Sequence, residues 1–267
     1  MAHVAALYRY PVKGFTPEPL ASAVVQDDGR IAGDRVLAFR FADATTPEDH
    51  DGLDYWPKSR GLALMDFPSL ARLRLAYDHE TRRLRITDGE AVVADAGLAP
   101  DERREIADRV TDWVLGTPDA RLLRRDGRLP LELLGDGGTA RFQDRARGFV
   151  SLHAHASVET VGGTVPAPVD DRRFRSNVVI EGVPAWSELD WVDGGADLTI
   201  GDVRFSVVKT IVRCLAITAN PDTGVRDAKL LKVLTGEFRQ AEPTLGVLLL
   251  PAGRGGRIRV GDPVVVG

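Results

Sequence analysis

Cysteine is nearly absent from this chain: one residue, Cys214, in 267. A single thiol excludes an intramolecular disulfide, a cysteine-rich zinc site and a cysteine-ligated iron–sulfur cluster within the chain. Long apolar runs are missing too, with no window approaching the roughly 18 uninterrupted apolar residues of a membrane-spanning helix. The opening Met-Ala-His-Val-Ala-Ala-Leu-Tyr-Arg-Tyr-Pro lacks the basic start and apolar stretch of a secretory signal. A cytoplasmic protein without a membrane span is therefore expected. Nor is there an excess of positive charge. The 35 basic and 39 acidic residues leave a net charge of −4, which argues against nucleic acid as the main partner. Lysine is scarce: Lys13, Lys58, Lys209, Lys229 and Lys232 are the five, and the other 30 basic residues are arginine. Arginine suits bidentate anion recognition, although a uniform excess also follows from coding bias.

What remains is an ordinary globular mixture, 43% hydrophobic and 28% charged. Val4 to Val12 and Arg35 to Phe41 read as strands, the second with Leu37, Phe39 and Phe41 on one face. Leu70 to Tyr77 and Arg82 to Thr87 read as a pair joined by a turn. Pro100 to Gly116 has the helical period, with Ile106, Val110, Trp113 and Val114 on one face. Further on, Val178 to Ile180, Leu198 to Ile200, Val203 to Thr218, Leu245 to Leu250, Arg257 to Val260 and Pro263 to Val266 read as strands. Asp227 is placed to cap a helix running through Leu234. Many short strands, few helices and frequent Gly/Pro turns predict a β-rich fold of barrel architecture with peripheral helices.

Four places could carry chemistry. Cys214 lies in the apolar run 203–218, ahead of the tight turn Asn220-Pro-Asp-Thr-Gly224. A lone cysteine in such a strand is often inert packing, but a soft thiolate at a strand end also suits a thiophilic metal. Asp222 could face the same end. In Asp171-Arg-Arg-Phe-Arg-Ser-Asn177, an extended backbone would put Arg173, Arg175 and Asn177 on one face and Arg172 on the other. That face is either a solvated basic cluster or a cradle for a phosphate and a heterocycle edge, at about 1.5–3 kcal/mol per charge-assisted bond. Lys13 stands in Tyr10-Pro-Val-Lys-Gly14, and Arg35 follows Gly33-Asp34. Finally, the loop from Ala42 to Arg60 holds Asp43, Glu48, Asp49, Asp51, Asp54, Tyr55 and Trp56, and is expected to border a cleft and repel anions.

Tyr-Pro-Val-Lys at 10–13 and Gly-Asp-Arg at 33–35 resemble the N-terminal β-barrel domain that precedes a MOSC domain. Arg-Arg-Phe-Arg-Ser-Asn at 172–177, Arg-Cys at 213–214, Asn-Pro-Asp-Thr-Gly at 220–224 and Arg-Ile-Arg-Val-Gly-Asp-Pro-Val at 257–264 resemble the MOSC domain itself. This domain is named for the C-terminal domain of molybdenum cofactor sulfurase. The resemblance covers nearly the whole chain and implies two β-rich units, 1–120 and 121–267. It further implies a molybdenum-cofactor (molybdopterin) oxidoreductase similar to the mitochondrial amidoxime-reducing component and its bacterial relatives. Such a protein reduces N-hydroxylated or other N-oxygenated small molecules by oxygen-atom transfer. Its electrons come from a separate donor, a ferredoxin, a flavodoxin or a reductase. Matched by motif, Cys214 falls on the metal ligand, and Lys13, Arg35, Ser157, Arg175 and Asn177 fall on cofactor contacts. Asp222 is the candidate proton route. Scattered cations without local partners are then expected to converge on one anion in a cleft between the two units. Two positions depart from the family: Gly14 stands where a hydroxyl residue is common, and Leu248 where Tyr follows Gly-Val. The rival readings are a sulfur carrier with a Cys214 persulfide and a non-enzymatic cofactor-binding module. Pyridoxal phosphate chemistry, sometimes attached to this family, is disfavoured because no lysine sits in a Schiff-base context.

Overall fold

The computed structural model describes residues 1–145, 147–166 and 169–267. The apolar N-terminus forms β1 (His3–Arg9), followed by β2 (Glu18–Leu20) and β3 (Ser22–Val25). A register shift between Val4 and Ala6 lets Val4 and Leu7, three residues apart, both reach the core.

Next come β4 (Ala38–Arg40), the hairpin β5 (Glu48–His50) and β6 (Leu53–Tyr55), and the ribbon β7 (Leu73–Asp78), β8 (Arg83–Asp88) and β9 (Ala91–Ala96). Helix α1 (Pro100–Leu115) is the expected amphipathic helix, with Ile106, Val110 and Val114 buried against the ribbon. Its N-terminus is closed by the Glu102 carboxylate, which accepts from the N–H groups of Gly97 and Ala99. Helix α2 (Ala120–Leu123) and β10 (Glu132–Leu134), paired with β4, complete this part.

The second half contributes β11 (Val150–Ala154), α3 (His155–Gly162), β12 (Val178–Glu181), α4 (Ser187–Asp193), β13 (Asp197–Ile200), β14 (Val203–Val212), α5 (Leu230–Gly236), β15 (Thr244–Pro251), β16 (Gly256–Arg259) and β17 (Val264–Val266). One eight-stranded sheet runs β17-β13-β14-β15-β11-β12-β1-β2, and β16 pairs with β3. The fold is mainly β, as expected. Backbone bonds from Val4 N–H to Asp262 O (2.9 Å) and from Gly261 N–H to Val4 O (2.8 Å) bring the segment entering β17 back onto β1.

Two large apolar cores result. One gathers residues between Val12 and Leu133 with Ala219; the other joins Val4, Leu7, Ala23, Val25 and Ile31 to residues between Val150 and Val264. Each core thus draws residues from both sides of position 120, the boundary expected between the units 1–120 and 121–267. No helix is long and apolar enough to cross a membrane among the described residues.

Two local expectations need correction. The strand expected to reach Thr218 ends at Val212, after a register shift near Thr210, where Arg213 turns its guanidinium onto the carbonyls of Phe174 and Leu245. Leu215–Thr218 is a 3₁₀ turn, so Cys214 precedes a turn and is half-buried. Asp227 does not cap α5; its carboxylate binds Arg173 and Asn220, each at 2.7 Å.

The turn after Lys13 depends on a residue without a side chain. Gly14 has φ +80°, and a Cβ there would lie 2.5 Å from Leu62 O and 2.7 Å from Ala63 Cα, both backbone atoms. The turn in this chain therefore requires glycine at position 14. Gly14→Ala is expected to destabilise the protein by about 2 kcal/mol or more, read from urea unfolding. A change within about 0.5 kcal/mol would show that the turn relaxes freely.

Candidate functional site

A cavity of about 330 Å³ is lined by residues from both halves of the chain, Lys13, Arg35 and Leu64 from the first and Phe174, Arg213 and Ile217 from the second. Seven basic side chains line it: Lys13, Arg35, Lys58, Arg145, Arg147, Arg175 and Arg213, with Asp144 as the carboxylate on the same wall and Cys214 as the thiol.

Lys13 is 4% exposed and donates to Gln143 O at 3.0 Å, with Asp144 at 3.1 Å. Burial lowers its ammonium below the ordinary lysine value, against the pull of Asp144. Arg35 adopts a left-handed backbone (φ 54°), pairs with Asp34 and lays its guanidinium 4.6 Å from the centre of the Tyr10 ring. Arg175 does the same from the other half of the chain: φ 57°, 4.6 Å from the same ring, donating to Phe15 O. Tyr10 is fully buried, its O–H donates to Ser176 O at 3.3 Å, and burial pushes its phenol well up, so it stays neutral under both cations. Arg213 is fixed by the carbonyls of Phe174 and Leu245, and burial pushes its guanidinium down to about 10. Gly246 makes room for it: with φ +79°, a Cβ would sit 2.8 Å from an Arg213 nitrogen and 2.5 Å from Leu152 O.

The Arg175 geometry starts with two aspartates. Asp170 caps a 3₁₀ turn at Asp171–Phe174 by accepting from Arg172 N–H at 2.7 Å, and Arg175 ends that turn. Asp171 is gripped by His153 Nε2 and His155 Nδ1, both at 2.7 Å. The segment expected to be extended is thus a turn, because the Asp170 carboxylate accepts from its backbone locally while Asp171 is held by the two histidines. Consequently Arg173 does not share the cavity face. It is buried against Asp227 (2.7 Å) and the carbonyls of Ile217 and Thr218, while Arg172 binds Asp170 and Asp222.

Cys214, Lys13, Arg35, Arg175 and Asn177 all border this one cavity, as the convergence argument expects. The Asn177 amide, however, is spent inside the protein: it donates to Tyr8 O and Asp34 and accepts from Ser151. Ser157 is fully buried, donates to Glu188 at 2.9 Å, accepts from Trp186 N–H at 2.8 Å and does not line the cavity. Asp222 is 60% exposed, held by Arg74 and Arg172, and also lies outside the lining. The loop from Ala42 to Arg60 contributes only Lys58. Tyr55 stacks on His50 at 4.2 Å, and Trp56 is buried against Phe142. The acidic flap is therefore corrected to a basic contact. Lys58, Arg145 and Arg147 escaped sequence reading because none falls in a periodic element, and the scarcity of lysine was the one signal available for Lys58. Arg213 stands beside Cys214 in the sequence, but the motif match assigns it no part in the site.

The Asp171 clamp has a titration signature. Burial opposes charge on both histidines. At His153 it prevails and lowers the pKa, whereas at His155 the Asp171 carboxylate outweighs it and raises the pKa. NMR should show His155 titrating above, and His153 below, the ordinary value of about 6.5. The raised His155 contributes stability that is complete below about 6.5 and fades as pH rises through its folded value. Asp171→Asn should lower the His155 midpoint and remove that fade. Equal midpoints for the two histidines in the wild type would contradict the clamp.

The MOSC domain model matches residues 140–265. Mitochondrial amidoxime-reducing component 1 of Mus musculus is 33% identical over 120 residues, 42% of this chain and 34% of that protein. The molybdenum cofactor sulfurase of Caenorhabditis briggsae is 26% identical over 148 residues, 54% of this chain and 19% of that protein. The chain thus spans about a third or less of these two relatives' length. Among solved structures it is similar to the YuaD protein from Bacillus subtilis, at 14% identity and a TM-score of 0.46, over 100% of this chain and 96% of that one. The second half of the chain, residues 140–265, is a MOSC domain.

Proposed function

We propose that this chain is a molybdenum-cofactor-dependent oxidoreductase that reduces N-hydroxylated or other N-oxygenated small molecules, with electrons from a separate donor. One observation carries the reading: the chain's only thiol lies in the wall of a cavity lined by seven basic side chains. The relatives named as amidoxime-reducing component and molybdenum cofactor sulfurase support it.

The residues suit such a group. A soft thiolate is a ligand for a thiophilic metal, and guanidinium forks match a phosphate. Gln143 lines the same wall, and its buried Oε1 has no hydrogen-bond partner among the described residues, leaving an acceptor unspent. Bound here, the cofactor would supply two-electron redox chemistry and an acceptor for the substrate's oxygen atom. The protein's part is positioning. Cys214 Sγ would ligate the metal, Arg175 and Arg213 would hold the phosphate, and Lys13 would exchange part of its contact with Asp144 for the ligand. Arg35, already neutralised by Asp34, keeps Tyr10 and Arg175 in place. Asp222 has no part in this scheme, since two arginines hold its carboxylate outside the cavity.

The persulfide reading keeps one specific support: Cys214 is half-buried on a cavity wall, so an acceptor can reach it. Metal analysis separates the two. Protein from a cofactor-competent host should carry about one molybdenum per chain; none, together with cyanide-labile sulfur, would favour the carrier.

Two variants test the roles. Cys214→Ala should abolish benzamidoxime reduction while unfolding changes by only about 1 kcal/mol. Full activity in that variant would make the cysteine mere packing. Arg175→Ala should lower bound molybdenum and pterin far more than thermal stability, and equal losses in both would make this arginine structural.

A further inference from the structure

We infer that the cavity prefers N-oxygenated substrates that carry a negative charge, such as a carboxylate or phosphate, gripped at its mouth by Lys58, Arg145 and Arg147. This rests on the reductase reading above and adds the chemical class of the substrate.

The seven cations of the lining fall into two sets. The inner set is engaged by the protein: Lys13 with Asp144, Arg35 with Asp34, Arg175 with Phe15 O and Arg213 with two carbonyls. In the outer set Arg145 and Arg147 are exposed and Lys58 is half-buried. These three have no ion-pair or hydrogen-bond partner among the described residues. Some surface arginines, such as Arg72, Arg74 and Arg204, hold a carboxylate, while others, such as Arg82, Arg121 and Arg254, also have no partner among the described residues. What sets Lys58, Arg145 and Arg147 apart is that they line one cavity together.

Most of the acids that could cancel the mouth charge are elsewhere: Glu48, Asp49 and Asp54 lie on the β5–β6 hairpin, outside the lining. Asp144 is the carboxylate in the lining; it binds Lys13 and is also felt by Lys58, so it offsets part of the charge of seven cations. The chain as a whole carries −4. An anion therefore meets a local field opposite in sign to the net charge, and apolar walls at Ile211, Val212 and Leu248 concentrate it. The inner guanidinium groups already match a single phosphate. The outer three are surplus to it and stand where a substrate must enter. Arginine forks at that position match a carboxylate or phosphate bidentately.

The test compares benzamidoxime with 4-carboxybenzamidoxime on molybdenum-loaded protein, with reduced methyl viologen as electron source. At low salt the carboxylated compound should show kcat/KM about tenfold higher, the lower end of steering by a cleft of one sign. The preference should shrink as salt is raised to about 0.5 M. A readout without turnover is calorimetric binding of both compounds to the oxidised protein. The carboxylated one should bind more tightly, and the triple variant Lys58→Ala, Arg145→Ala, Arg147→Ala should abolish the difference. If the triple variant does not fold, Arg145→Gln and Arg147→Gln singly should each reduce it. Equal binding of the two compounds to the wild type, or a preference that survives the substitutions, overturns the inference. Selective binding with no turnover of either compound would support the charged mouth and count against the reductase reading instead.

Discussion

Gathering several like charges into one cavity opposes folding, because two guanidinium groups about 5 Å apart repel by about 3 kcal/mol even at an effective dielectric of about 20. The fold contains that repulsion by engaging the inner cations before any ligand arrives. Asp34 neutralises Arg35, Asp144 meets Lys13, and carbonyl oxygens solvate Arg213. Tyr10 then serves as the shared surface on which Arg35 and Arg175 lie, its ring supplying favourable electrostatics to both. Arg175, held by a carbonyl and a ring but by no carboxylate, keeps its charge for an anion.

This arrangement needs the interleaved architecture. Arg35 and Arg175 are 140 positions apart in the chain, yet both must reach one ring. The N-terminal strand β1 achieves this by joining the second-half sheet between β12 and β2, while the residues after Tyr10 enter the first core at Val12 and Phe15. Tyr10 to Gly14 is therefore the point at which the chain passes from one core to the other, and Lys13 and Tyr10 stand in that crossing. Left-handed backbone gathers around it: Gly14, Arg35 and Arg175 all have positive φ, which glycine adopts freely and which strains the two arginines.

Much of this was legible in the residues themselves. Helix α1 announced itself by period and cap, and the apolar alternation from Leu37 to Phe41 identified a buried strand, although only Ala38–Arg40 is paired. Scarce lysine and unexplained arginines pointed to a shared anion, and five of the named residues do border one cavity. The misreadings share a cause. Arg173, Ser157 and Asp222, which lie outside the cavity lining, are polar residues whose partners lie far along the chain, and no local pattern shows that Asp227, Glu188 or Arg74 will claim them. Helix α3 was missed because its short run follows straight on from β11 without a break in composition.

The central claim, that Cys214 holds a metal in this cationic cavity, is tested most directly by X-ray absorption at the molybdenum edge of the loaded protein. The wild type and Cys214→Ser would be compared at matched metal content. The account predicts that the variant loses one sulfur neighbour of the metal and gains a lighter scatterer. An unchanged sulfur shell in Cys214→Ser would contradict it.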